Sequence, residues 1–182
     1  MSYQRQILSL DLARKTGWAL GLANDAKPQS GSLQITNSDS SHAKLFSSWR
    51  EYLRDFIALN PEIGLVIFES PLPPMLRTGN TNISAIRLLM GLAAVTEELL
   101  YTLNQFPQRP HIIDVREARV ADVRTHFIGS NRHKRDEAKM LTIKRCRQLG
   151  WEPKDDNAAD ALALWDYQCS ILRRENLFNR VR

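Results

Sequence analysis

The sequence predicts an α/β fold, a mixed five-stranded sheet flanked by helices. Two observations point there. The apolar runs Ile7–Leu10 and Gly64–Phe68 each end in a carboxylate and then a loop-forming stretch, as strands do where they leave a core at a polar rim. Around them, segments with apolar residues at helical spacing alternate with further short strand-like runs, the pattern of a layered α/β domain.

A chain of 182 residues can bury one real core. We expect a single domain over residues 1–172 and a frayed, charged tail over 173–182. No run approaches a membrane span, and the N-terminus lacks the apolar block of a signal peptide. Cys146 and Cys169 have no metal-type spacing, so both read as reduced thiols of a cytoplasmic protein.

The opening stretch Gln6–Leu12 is mostly apolar and carries Asp11 near its end. A carboxylate recessed at a strand end needs a compensating charge, here either a metal ion or an ion pair with Arg14 or Lys15. The run Thr16–Leu22 reads as the second strand of a hairpin, and Ser30–Ile35 as a third. Asn37–Ser41 is a turn and cap cluster, and Leu45, Phe46, Trp49, Leu53, Phe56 and Ile57 then recur at helical spacing up to Asn60-Pro61. Gly64–Phe68 is a central strand ending in Glu69, so the acid-at-the-rim pattern occurs twice. The loop Pro71–Asn82 holds Met75, Leu76 and Arg77. A helix over Ile83–Leu103 is apolar on more than one narrow stripe, which suits a central helix packed on the sheet, either buried within the monomer alone or also packed on a second subunit.

His111–Val115 reads as the fifth strand and Arg116–Phe127 as a helix. A basic loop, Ile128–Arg135, opens a second helix over Asp136–Leu149, and Gly150–Pro153 stops it. His126 and His133 read as surface groups. The last helix starts at Asp155–Asp156. Asp155 suits an N-cap, and Asp156, Asn157 and Asp160 share one face. First-turn acids cap and complement a helix dipole, which accounts for Asp155 and Asp156 better than for Asp160.

The net charge of +5 is local: residues 116–147 hold 10 Lys/Arg against 4 Asp/Glu, while residues 1–115 hold 10 of each. That stretch is either a solvated helical face or a phosphate-binding patch. Asp11, Glu69 and Asp160 with no His/Cys cluster suit a hard, oxygen-liking ion such as Mg²⁺. Two such ions about 4 Å apart support phosphodiester cleavage, and a basic patch would hold the nucleic acid.

At Leu8-Ser9-Leu10-Asp11, Val66-Ile67-Phe68-Glu69 and the 155–164 stretch DDNAADALAL, the chain resembles the RuvC-type Holliday junction resolvases of the ribonuclease H-like superfamily. The basic stretch 123–139 is similar in style to phage and prophage members. The resemblance implies a ribonuclease H-like sheet and a homodimeric endonuclease using two Mg²⁺ ions, with Mn²⁺ able to substitute. It would resolve four-way DNA junctions by paired nicks. It implies catalytic, metal-ligating roles for Asp11, Glu69 and Asp160, with Asp156 or Asn157 as the candidates for a further ligand beside them. It implies DNA contacts from Arg77, Arg116, Arg119, Arg124, Arg132, Lys134, Arg135 and Lys139. Branched DNA is the expected partner.

Asn157 stands where the family commonly has Asp or His, so either Asp156 or Asn157 is the fourth ligand. This departure keeps open a junction-binding protein that has lost cleavage, and a nuclease for flaps or forks. Actin-like kinases also open with a strand-end Asp. Ala13 replaces their usual Gly, and the chain is short for their two-domain fold.

Overall fold

The computed structural model describes residues 5–71 and 83–180. Met75, Leu76 and Arg77 of the expected loop therefore lie outside the described residues. Five strands and five helices follow along the described chain in the order β1 (Gln6–Asp11), β2 (Lys15–Leu22), β3 (Gln29–Gln34), α1 (His42–Leu59), β4 (Ile63–Glu69), α2 (Ile83–Asn104), β5 (Asp114–Ala118), α3 (Val120–Ile128), α4 (Arg135–Gln148) and α5 (Asp156–Arg180). The sheet order is β3-β2-β1-β4-β5. The β1–β2 and β2–β3 pairs are antiparallel, and β1–β4 and β4–β5 are parallel. The expected mixed five-stranded sheet is the one observed.

Side-chain alternation divides the core into two halves. Leu8, Leu10, Val66 and Phe68 face α1 and α2, among Leu45, Trp49, Leu53, Leu92 and Leu99. Ile7, Leu65 and Ile67 face the other way, among Val123 of α3, Cys146 of α4 and Ala159, Leu162 and Trp165 of α5. Two buried polar groups tie these layers together: Trp49 Nε1 donates to Thr96 Oγ1 at 2.9 Å, and Ser9 Oγ donates to the Ala161 carbonyl at 2.7 Å, whereas the buried Gln168 side-chain amide has no partner among the described residues. Burying a polar group without such a partner would cost several kcal/mol.

Two expectations need correction. The fifth strand is Asp114–Ala118, not His111–Val115, and α3 starts at Val120 rather than Arg116. The backbone before the strand is spent on side chains: Asn104 Oδ1 accepts from Ile113 N at 2.9 Å, and His111 Nε2 lies 2.9 Å from the Ile63 carbonyl oxygen. The Arg-Glu-Ala-Arg stretch has helix-favouring residues, and parallel pairing with Ile67–Glu69 overrides that preference. The second correction concerns the C-terminal segment. α5 continues through Arg180, and Arg116 of β5 pairs with Glu175 at 3.1 Å. Residues 173–180 thus extend a helix instead of fraying from Arg173 onward.

Asp155 is the N-cap the spacing predicts, and it also ties α5 to the meander. Its carboxylate accepts from Ala158 N at 3.0 Å, pairs with Lys15 Nζ at 2.7 Å and accepts from Ser32 Oγ. Burial pushes its pKa up, but these bonds outweigh burial and hold it down at about 2. A depressed carboxyl stabilises the fold above its ordinary range near pH 4 and loses that contribution as pH falls toward 2. Asp155→Ala is therefore expected to destabilise the protein by about 1–2 kcal/mol at neutral pH. The deficit should shrink in acid melts below about pH 4; a deficit independent of pH would mean the cap is not ionic.

Candidate active site

The strand register sets two carboxylates side by side. Asp11 follows Ile7 and Ser9 in alternation, and Glu69 follows Leu65 and Ile67, so both side chains belong to the α5 face of the sheet. They sit one step beyond the parallel pair Leu10↔Phe68, at the ends of the two central parallel strands. α5 crosses that face closely because Ala158, Ala159, Ala161 and Ala163 are all buried against it. Its first turns bring Asp156 and Asp160 over the strand ends, and both lie within charge reach of Asp11.

Arg14 and Lys15 do not supply the compensating charge. The Arg14 guanidinium donates to the Ser40 carbonyl at 3.3 Å, and Lys15 is taken by Asp155. Burial, then repulsion from Glu69, Asp160 and Asp156, pushes Asp11 well above the usual carboxylate range. Burial and the charge of Asp160 raise Glu69 to about 7, against the pull of Arg124. Burial raises Asp160 to about 6, although Arg124, Lys139 and Arg135 oppose it. Asp156 goes the other way, because Lys139 bonds it and holds its pKa low.

The three raised carboxyls are what an undercompensated anionic site looks like. A cleft of about 140 Å³ opens beside Asp11 and Glu69, with Leu12, Ser70, Pro71, Leu89 and Val120 around it. That volume holds about four waters at about 30 Å³ each. Among the described residues, no group of three or more His, Cys, Asp or Glu side chains stands ready as a metal cage. The donors present are nonetheless the right type for a hard ion: carboxylate oxygens with neither imidazole nor thiol among them. Asn157 shares the first turn of α5 with Asp156 and is half-buried.

The expected DNA contacts fall into three groups. Arg124, Arg135 and Lys139 lie within charge reach of the acids, acting on Glu69 or Asp160. Arg132 and Lys134 are exposed in the loop between α3 and α4, which begins where Gly129 takes a positive φ of 80°. Arg116 and Arg119 are engaged within the protein, with Glu175 and Asp122. His126 and His133 also have acidic partners, Asp166 at 2.7 Å and Glu137 at 3.1 Å. The apolar walls Leu89 and Val120 read in the sequence only as apolar positions of their helices. Tertiary packing alone brings them to the cleft beside the acids.

The backbone as a whole matches solved structures. It aligns with Thermus thermophilus RuvC in complex with Holliday junction substrate at a TM-score of 0.68 and 12% identity, covering 94% of this chain and 97% of that one. The fold is that of RuvC. A second Thermus thermophilus RuvC structure aligns at 0.61 with 11% identity, covering 93% of this chain and 96% of that one. The yeast mitochondrial Holliday junction resolvase Ydc2 aligns at 0.60 with 12% identity, covering 97% of this chain and 83% of that one. No protein-family model matches the chain, and no curated protein matches it in sequence. Among the described residues, no helix is long and apolar enough to cross a membrane.

Proposed function

We propose that the chain is a Mg²⁺-dependent, structure-selective endonuclease that resolves four-way DNA junctions by paired nicks in the cytoplasm. The observation that carries this reading is the placement of Asp11 and Glu69 on adjacent strand ends beneath Asp160, in a fold shared with RuvC. Asp11, Glu69 and Asp160 would hold the ions, with Asp156 or Asn157 completing the set. Bound there, Mg²⁺ would activate a water and neutralise the departing oxygen. Arg124 and Arg135 stand beside the acids and would position the phosphates flanking the cut.

Paired nicks call for two copies. On α2, Ile83, Met90 and Tyr101 are 81%, 52% and 69% exposed. Their spacing of 7 and 11 residues puts them on one side of the helix. These exposed apolar side chains, interleaved with Arg87 and Glu97 on the same side, would suit a homodimer built through this helix.

The test is nicking of an immobile four-way junction with Mg²⁺, beside a linear duplex and a fork. Symmetric cuts on the junction alone are expected. Cuts on every branched substrate would keep the chemistry and discard junction selectivity. Binding without cuts would assign Asn157 to a site that has lost cleavage.

The basic loop makes a separate prediction. Lys134→Ala and Arg135→Ala should weaken junction binding, and each should flatten the salt dependence by about one ion. Binding titrations from low to moderate salt check this, and an unchanged slope would return the loop to an ordinary solvated face.

A further inference from the structure

Lys139 is the cation most firmly set among the acids. Its Nζ pairs with Asp156 Oδ2, and its charge also acts on Asp11 and Asp160. Packing fixes where it emerges. Ala138 is 2% exposed and Thr142 is 4% exposed on the same helix. Thr142 Oγ1 donates to the Ala138 carbonyl at 2.9 Å, and Cys146 Sγ lies 4.0 Å from the Ala159 carbonyl of α5. α4 is thereby seated on α5, and Lys139 follows Ala138 directly, facing the first turn that carries Asp156. Arg124 and Arg135 act on the same cluster from farther along α3 and from the start of α4.

A lysine ammonium brings one charge and hydrogen-bond donors. A divalent ion brings two charges and binds carboxylate oxygen directly. An ion that took Asp156 as a ligand would need the carboxylate that Lys139 holds, and like charges a few ångströms apart repel strongly in a partly desolvated site. The side chains of Lys139 and Asp156 are 31% and 35% exposed, so the pair is open to exchange.

We propose that Lys139 is a built-in competitor for the divalent ion. It holds Asp156 by its ammonium group and so raises the ion concentration at which the acidic site fills. Lys139 is on this view a positioning residue for Asp156, beyond any contact it makes with DNA. The inference rests on the proposed metal-dependent nuclease site.

The test measures Mn²⁺ binding to the full-length protein without DNA, by electron paramagnetic resonance or calorimetry. Lys139→Met keeps the aliphatic stem and removes the charge. Lys139→Arg keeps the charge and offers a bidentate grip on Asp156. The Met variant should bind Mn²⁺ roughly three- to tenfold tighter than the native protein, from the removed repulsion alone. The Arg variant should bind no tighter than the native protein. Its melting temperature without metal should match the native one, while the Met variant melts lower for want of a counter-charge. Native-like or weaker Mn²⁺ binding by the Met variant, with the native protein binding, would overturn the role of Lys139 and leave the site intact. No Mn²⁺ binding by the native protein would overturn both this inference and the nuclease reading.

Discussion

Asp11→Asn, Glu69→Gln and Asp160→Asn should each abolish junction cleavage while raising the stability of the protein measured in EDTA. The loss follows from removing an oxygen ligand from an ion worth several kcal/mol to the transition state; about 4 kcal/mol is roughly a thousandfold in rate. The gain follows from the ground state. These carboxylates pay desolvation and mutual repulsion, which is why their pKa values are raised. A raised carboxyl means the folded chain holds more protons than the unfolded chain between about pH 4 and the folded value. Stability in EDTA therefore falls as pH rises through that window. For Glu69 the window ends at about 7. At pH 8 the Glu69→Gln variant should be more stable than the native chain by about 1–3 kcal/mol, and the difference should vanish near pH 4. Thermal melts across pH, run with the nicking assay, check both halves. A variant that loses activity and stability together would place that acid in the structure rather than in the chemistry.

Gly17→Ala should have the largest effect on the fold among single-methyl changes near the site. Gly17 pairs with Asp11 across the β1–β2 ladder. A Cβ there would fall on the Asn157 carbonyl group and come within 3.0 Å of Ala158 N. Both are backbone atoms of the first turn of α5, so no side chain can swing aside. Either the helix start lifts from the sheet or the ladder opens. Overpacking of this kind costs about 1–3 kcal/mol where side chains can yield, and the rigid backbone here puts the expected loss at or above the top of that range. A lifted helix start also moves Asp156 and Asp160 away from Asp11. The Gly17→Ala chain should melt roughly 5–10 °C lower and cut junctions far more slowly at temperatures where it remains folded. Native melting and native rates would mean that α5 is not seated on β2 as described.

The parts of this architecture that were legible in the sequence are those written in local pattern. The runs ending in Asp11 and Glu69 are mostly apolar on both alternating positions, which is how strands covered on both faces read. Leu45, Trp49, Leu53 and Ile57 mark α1 by their spacing and are all buried. The small residues of α5 announce a close crossing, which the buried alanines bear out. The limits of β5 were not legible, because its residues favour a helix and only pairing with β4 makes them a strand. Nor was the fate of the charges. Lys15 and Arg14 lie nearest Asp11 in sequence, yet Lys15 turns to Asp155 and Arg14 to Ser40. The ion pair between Lys139 and Asp156 spans two helices and exists only once α4 has docked on α5. Ion pairs depend on tertiary geometry, so sequence order says little about them.

The central claim is that Asp11, Glu69 and Asp160 together bind a divalent ion. Crystals grown with Mn²⁺ and measured at its absorption edge test it most directly. The account predicts an anomalous peak at the strand ends beside Asp11, Glu69 and Asp160, and its loss in Asp11→Asn. A peak elsewhere, or none at this cleft while the native protein nicks junctions in Mn²⁺, would contradict it.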